Sequence, residues 1–292
     1  MKIALLTCER LPALIPSDQQ LIPEFAKYAI AAEPVIWDNN TVKWNDFDYL
    51  IFRNTWDYFE KETTFNQWLD KIEHLGIKTL NPVALIKENK HKFYLKDLEK
   101  KGISIIPTLF INKTPHFDLA SLLPQQWQKA VIKPAFSAGS YLTELFDVKD
   151  LAAVNQKYKS IALEKELLLQ EFVPEIETLG ETSFIFYNKK FSHCINKKPA
   201  AGDFRIQSQF GGKYSLVHPN QNLIDQAQRI VNLINHHTLY ARVDGIVIDS
   251  LLQLMEVECI EPDLYFEYCE GSRENFVKEA VKMMNQSVKA TL

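Results

Sequence analysis

Asp244, Glu256 and Glu258 are the residues of this 292-residue chain whose types and spacing point most directly to chemistry. Asp244 stands in Ala241-Arg242-Val243-Asp244-Gly245, and the two glutamates follow in Leu254-Met255-Glu256-Val257-Glu258. Between the two stretches, residues 246–253 alternate apolar positions around a polar turn, which predicts a strand, a turn and a returning strand. Glu256 and Glu258 are two apart on a strand, so their side chains leave one face. Asp244 on the outgoing strand can meet them across the pair. Three carboxylates on one sheet face repel each other unless a cation lies between them. Hard oxygen donors of this kind suit Mg²⁺, which is usually held by one or two carboxylates plus substrate phosphates. The bland alternative is a solvated strand face with scattered acids.

Basic and small residues supply a second set of candidates. A strand through Ala130-Val131-Ile132 delivers Lys133, and a loop with Ser137, Gly139 and Ser140 follows. Small residues let backbone N–H groups approach a phosphate closely, and a lysine adds a point charge. Lys133 precedes its loop, so the stretch is no GxxxxGK[ST] phosphate loop. Residues 167–174 read as an apolar strand stopped by a proline, and the Glu171-Phe172-Val173 edge offers C=O and N–H groups that can pair with a purine. A hairpin about Asn188-Lys189-Lys190 follows Gly180-Glu181. Beyond it Lys197, Lys198 and Arg205 alternate with glycines, as a loop covering a polyphosphate would require. Arg53, Trp56, Asp57 and Tyr58 directly follow a strand, where ligands bind in open α/β sheets. The structural alternative there is a Trp-anchored loop with Arg53 and Asp57 paired. Lys87, Lys90, Lys92 and Lys96, taken singly, read as solvated lysines, and His193 in its strand pattern reads as structural.

The elements that must position these residues follow from periodicity. Strands are expected at residues 2–7, 34–37, 49–52 and 105–111. Helices are expected at 18–32 (with Ser17 as N-cap), 60–75, 89–101 (ended by Gly102), 223–235 and 272–284. Strands alternating with helices imply a parallel sheet covered on its faces, here a first domain over residues 1–86. Composition is that of a soluble globular protein, with 46% hydrophobic and 24% charged residues. A net charge of −4 and the lack of a basic stripe give no reason to expect nucleic acid. No run is long enough to cross a bilayer. Four scattered cysteines without CxxC spacing suit a reducing cytoplasmic setting.

Taken in order, Lys133 with its small-residue loop, Gln170-Glu171-Phe172-Val173, Gly180-Glu181, Phe204-Arg205, Arg242-Val243-Asp244 and Glu256-Val257-Glu258 resemble the motifs of the ATP-grasp superfamily. The resemblance covers about residues 85–270. Within the superfamily the chain is similar to the glutathione-synthetase-like and ribosomal-S6-modification-like branch, which includes a cyclo-ligase making D-cycloserine from O-ureido-D-serine and that enzyme's uncharacterised relatives. The segments that carry this are residues 53–58, Lys92-Phe93-Tyr94-Leu95, and 193–207. The resemblance implies an α/β (α+β) ATP-grasp fold: a Rossmann-like domain at 1–86, a lid subdomain at 87–170 and an antiparallel-sheet subdomain at 171–292. It implies that Lys92 and Lys133 contact the phosphates of ATP, that Glu171 and Val173 bind adenine through their backbone, and that Glu181 takes the ribose hydroxyls. Lys197, Arg205 and Arg242 would face the γ-phosphate and an acyl phosphate, and Asp244, Glu256 and Glu258 would hold two Mg²⁺ ions. Many members carry Glu-x-Asn where this chain has Glu256-Val257-Glu258, and the choice between Lys197 and Lys198 stays open. The activity implied is ATP- and Mg²⁺-dependent joining of a small-molecule carboxylate to an amine or an internal nucleophile. The rival readings are a nucleotide-binding module without turnover and an ATP-grasp kinase. Dimerisation is common in the branch but has no signature in this sequence.

Overall fold

Five consecutive buried residues in Lys2–Thr7 require a strand covered on both faces. In the computed structural model, which describes residues 1–200 and 211–289, this segment is β1. β2 (Ala31–Ile36) and β3 (Tyr49–Asn54) flank it in parallel, and β4 (Lys78–Leu80) lies beyond β3. Alternate side chains feed two cores. Ala4, Leu6, Leu50 and Phe52 meet Phe65, Trp68, Leu69 and Ile72 of the helix Glu62–His74, the face its sequence predicts. Ile3, Leu5, Tyr49 and Ile51 share a core with Phe276, Val277 and Ala280 of the helix Ser272–Lys289.

A second sheet holds β5 (Thr108–Ile111), β6 (Lys129–Pro134), β7 (Glu144–Asp147) and β8 (Leu167–Glu171) in the order β5-β8-β6-β7, all antiparallel. The third contains β9 (Glu181–Tyr187), β10 (Lys190–Lys198), β11 (Lys213–Val217), β12 (Tyr240–Ile248) and β13 (Leu251–Glu258) in the order β11-β10-β9-β12-β13. Among the described residues no helix is long and apolar enough to cross a membrane.

Local expectations fail where a tertiary or proline constraint intervenes. The helix expected at 18–32 is two short ones, Pro16–Gln19 and Leu21–Ala26, with Ile15 and not Ser17 at the first N-cap. Pro23 has no N–H for the Gln19 carbonyl, and the first helix stops at Gln19. Ala31 already belongs to β2. The helix expected at 89–101 is likewise broken: Val83–Asn89 precedes Tyr94–Lys100, and in the gap the Lys92 amide donates to the Ala135 carbonyl (2.9 Å). In the strand expected at 105–111, only Thr108–Ile111 enters the sheet, while Ile105 bridges to Leu254.

The hairpin of β12 and β13 contains a parity conflict. Leu252, Leu254, Glu256 and Glu258 would all leave one face of a regular strand. Asp244 pairs with Glu256 but Gly245 pairs with Leu254, so Met255 is an unpaired bulge residue. The bulge turns Leu252 and Leu254 into the core with Val243 and Val257, and leaves Glu256 and Glu258 on the face of Arg242 and Asp244. Asp249 and Ser250, at φ +48° and +65°, close the hairpin as a two-residue turn that matches strand twist. A Cβ on Gly245 would sit 2.7 Å from Leu252 Cδ1 and closer still to the Gln253 carbonyl oxygen. Gly245→Ala is therefore expected to destabilise the chain by about 1–3 kcal/mol, the usual cost of overpacking, read from urea unfolding. An unchanged midpoint would contradict the bulge geometry.

His193 ties β10 to the segment after β13. Its Nε2 lies 3.0 Å from the Leu264 carbonyl and its Nδ1 3.0 Å from Ser192 Oγ, so the ring donates from Nε2 and accepts at Nδ1. Burial pulls its pKa down to about 4. The native state thus keeps the ring neutral while the unfolded chain binds a proton below about pH 6.5. The resulting stability is complete above that pH and lost as pH falls toward 4, on the order of 3 kcal/mol in all. Unfolding measured across this window should show the loss, and His193→Gln should flatten it. An equal slope in both proteins would refute the neutral ring.

Candidate active site

The second and third sheets enclose a cavity of about 210 Å³. One end is built by β8 and the chain beyond it. β8 is interior to its sheet, not an edge, so purine-pairing groups are available only where the ladder stops. The Glu171 amide donates to the Pro107 carbonyl (3.0 Å), and Pro107 has no N–H to return to the Glu171 carbonyl. The Phe172 amide donates to Lys129, and no partner for the Val173 amide is found among the described residues. Ile106, Phe172, Val173, Ile246 and Met255 give this end apolar walls. The bulge thus also delivers Met255 to the cavity, a consequence invisible in a simple alternation.

The other end is charged. Lys197 and Glu181 are directly opposite on β10 and β9 and form a close ion pair. Lys197 also lies 3.7 Å from Asp244, whereas Lys198 is exposed, so it is Lys197 that faces the cavity. Arg242 stands between two of the three acids of the β12–β13 face. Its Nε donates to both Asp244 oxygens (3.1 and 3.0 Å), its Nη2 to Glu258 (2.5 Å), and its Nη1 to the Asp263 carbonyl (3.0 Å). The cation the acids require is therefore a side chain of the protein. Ser183 donates to Asp244 as well. Against the cost of burial, Arg242 and Lys197 hold the Asp244 carboxyl below its ordinary pKa. Burial first, then the neighbouring acids, push Glu258 up to about 8 despite Arg242. Glu181 is raised by burial in spite of Lys197. Tyr265 offers its ring to Arg242 and Lys197, at 5.5 and 5.8 Å.

Lys92 pairs with Glu256 (2.9 Å) and donates to the Ser137 carbonyl. The break in the predicted helix is what brings it there. Lys133 differs: it lines the same cavity half-buried, with no hydrogen bond or ion pair among the described residues. Burial lowers its pKa. Ser137, Gly139 and Ser140 border the cavity beside it, the latter two at φ +57° and +63°. Arg205 lies outside the described residues.

Asn89 and Tyr94, not singled out in the sequence, seal the outer edge of β13. The Asn89 side-chain amide donates to the Val257 carbonyl and accepts from the Cys259 amide (both 2.8 Å), as a neighbouring strand would. The Tyr94 hydroxyl accepts from the Val257 amide (2.8 Å) and donates to its carbonyl (2.9 Å). These bonds, at Val257 and Cys259, bracket Glu258 and hold the strand beside Glu256. Such side-chain-to-backbone pairing leaves no pattern in the sequence.

The segment 53–58 is only partly at the site. Arg53 is fully buried and pairs with Asp18 (3.1 Å), not Asp57; its Nη2 donates to the Pro262 carbonyl (3.1 Å). Asp57 accepts from Trp37 Nε1 and Lys61 (both 2.7 Å). Trp56 Nε1 donates to the Glu261 carbonyl (2.9 Å). Tyr58 lines a small chamber that shares Lys92, Gly139, Glu256 and Glu258 with the main cavity. Among the described residues no three acids, histidines or cysteines gather into a metal site. Two carboxylates completed by phosphate oxygens is nonetheless how Mg²⁺ is usually held, and Glu256 and Glu258 are such a pair.

Comparison with known proteins accords with this geometry. Residues 3–81 match the family described as the N-terminal domain of D-cycloserine synthetase DcsG. The chain is 26% identical over 176 residues to the cycloserine biosynthesis protein DcsG of Streptomyces lavendulae, and spans only 58% of that relative's length (58% of its own). It superposes on the crystal structure of D-cycloserine synthetase DcsG with a TM-score of 0.84 and 20% identity, over 97% of this chain and 100% of the other. The D-alanine–D-alanine ligase of Bacillus anthracis complexed with ATP matches over 100% of both chains with a TM-score of 0.72 and 16% identity. A RimK-domain ATP-grasp protein of Sphaerobacter thermophilus matches with a TM-score of 0.68 and 13% identity, over 95% and 98%. At these identities the structural likeness is one of fold. The chain has the ATP-grasp fold, and the proteins it is similar to in both sequence and structure include D-cycloserine synthetase DcsG.

Proposed function

We propose that this chain is an ATP- and Mg²⁺-dependent ligase, which activates a small-molecule carboxylate as an acyl phosphate and joins it to an amine or an internal nucleophile. The observation that carries the reading is Lys133, a half-buried side chain with no acid in ion-pair reach among the described residues, in a cavity where Lys92, Lys197 and Arg242 each have one. A phosphate supplies the missing anion. Similarity to a synthetase and a ligase of the same fold supports ATP-dependent ligation.

On this reading Lys92, Lys133 and the backbone of residues 137–140 hold the phosphates. The Glu171 carbonyl and Val173 amide pair with adenine, beside Phe172, and Glu181 takes the ribose hydroxyls. A substrate carboxylate oxygen attacks the γ-phosphorus and ADP leaves. An amine nitrogen then attacks the acyl carbon, gives up a proton, and inorganic phosphate departs. These steps ask the protein for positioning and charge neutralisation more than for covalent help. Lys197 and Arg242 serve the transferring phosphoryl group, with Arg205 as a third cation. Glu256 and Glu258, with Asp244, would hold Mg²⁺, which would neutralise phosphate charge. We assign residues 1–86, 87–170 and 171–292 to the first domain, the lid and the metal-bearing subdomain, a division supported by the three sheets. Four free thiols suit a cytoplasmic setting.

Mg²⁺-dependent release of ADP and phosphate, screened over amino acids, ureido acids and dipeptide-like carboxylates with mass spectrometry of the products, tests the reading. One compound class should stimulate release and yield a joined or cyclised product. A phosphorylated product would favour a kinase instead, and nucleotide binding without stimulated release a binding module. Lys133→Met is expected to weaken ATP affinity about 10- to 100-fold, the scale of one charge-assisted contact, without loss of folding. Glu256→Gln should abolish turnover. Undiminished ATP affinity in the first variant, or turnover in the second, would remove that residue's assignment.

A further inference from the structure

Gln170 is a buried polar side chain of the main cavity to which the reading above gives no task. It is only 5% exposed and lines the apolar end, beside Val131 of its own sheet and across from Ile246 and Met255 of the third. On β8 it stands directly opposite Thr108 of β5 and Val131 of β6, so the three share a face. Its Nε2 donates to Thr108 Oγ1 (2.9 Å), and that hydroxyl donates to the Ile106 carbonyl (2.6 Å). A backbone carbonyl only accepts, so the hydroxyl proton is committed to Ile106 and Thr108 can only accept from the amide. This chain of bonds fixes which way round the Gln170 amide stands. Nε2 keeps a second hydrogen, and no partner for it or for Oε1 is found among the described residues. A buried amide left half-bonded is costly unless something brought from outside completes it.

The polar groups at this end of the cavity make two acceptor–donor pairs. One is the Glu171 carbonyl with the Val173 amide, left open where the ladder stops at Pro107. The other is Gln170 Oε1 with the remaining Nε2 hydrogen. A flat ring that satisfies both needs an amino group with a ring nitrogen on either side of it. Adenine has that pattern, because its 6-amino group lies between N1 and N7, and a glutamine amide pairs with the N6 and N7 edge through two bonds. Guanine carries an oxygen in place of the amino group and would set it against two acceptors. Cytosine has a C–H where the second ring nitrogen is needed.

We propose that Gln170 is a specificity-determining residue, its Oε1 accepting from the 6-amino group of adenine and its free N–H donating to N7. Thr108 touches no ligand; it is the positioning residue that holds the amide in this orientation. The proposal rests on the nucleotide reading above. To the backbone contacts of Glu171 and Val173 it adds a second edge by which the base is read.

The test titrates Mg²⁺ with ADP and Mg²⁺ with 7-deaza-ADP, which differ only in a C–H for N7, into the wild-type chain and Gln170→Met by calorimetry. Wild type should bind ADP at least about fivefold more tightly than 7-deaza-ADP. Gln170→Met should weaken ADP by a similar factor and bring the two nucleotides within about twofold of each other. A merely structural role would weaken both equally and leave the gap, and that result would overturn the proposal. Equal affinities in the wild type would overturn it too, while leaving the nucleotide reading in place. Thr108→Val frees the amide to turn and should narrow the same gap; an unchanged gap there would contradict the proposal even if Gln170→Met did not fold. A wild-type chain that binds neither nucleotide would refute the nucleotide reading itself, and this residue's role with it.

Discussion

The guanidinium of Arg242 sits between Asp244 and Glu258, and the rest of the site is arranged around that contact. Three acids on one face of a hairpin cannot stay charged side by side without a cation. Here the chain provides its own, two residues from Asp244 and directly opposite Glu258 in register. The solution depends on the bulge at Met255, because a regular strand would put Leu252 and Leu254 on the same face as the glutamates. The bulge in turn depends on a glycine at 245, where a side chain would meet the returning strand. A single backbone irregularity thus lets one short strand serve a hydrophobic core and a charged cavity.

Each of these ion pairs is also a reserve of cationic charge. Removing one partner of a buried pair leaves an uncompensated charge, which is why such pairs persist until a better partner arrives. On the proposed reading a polyphosphate would be such a partner for Lys197 and Arg242, and a divalent ion for Glu256 and Glu258. Lys133 stands outside this internal balance, with no acid in ion-pair reach among the described residues.

Much of this is legible in the sequence, for physical reasons that can be named. β1 and β3 of the first sheet announce themselves by apolar runs, and the β12–β13 hairpin by its polar turn. The cavity residues Lys133, Glu171, Glu181 and Arg242 stand out because their order along the chain resembles a known one, whereas Lys197 and Lys198, adjacent and equally basic, are told apart only by their burial. What cannot be read are contacts made by tertiary structure. Lys92, taken singly, reads as one solvated lysine among several and is marked out by the resemblance alone, since nothing local shows that its amide leaves the helix for Ala135. Arg53 reads as a ligand contact because its true partner, Asp18, lies in a segment whose periodicity suggests one long helix. Asn89 and Tyr94 act on backbone groups, and side-chain-to-backbone bonds leave no periodic trace.

On the proposed reading, the Lys133 ammonium and the ion pairs of this cavity await a nucleotide and its metal. Calorimetric titration of the wild-type chain with a non-hydrolysable ATP analogue, with and without Mg²⁺, tests it most directly. Saturable one-to-one binding that Mg²⁺ strengthens is the expected result. No saturable binding under either condition, or binding indifferent to Mg²⁺, would contradict the claim.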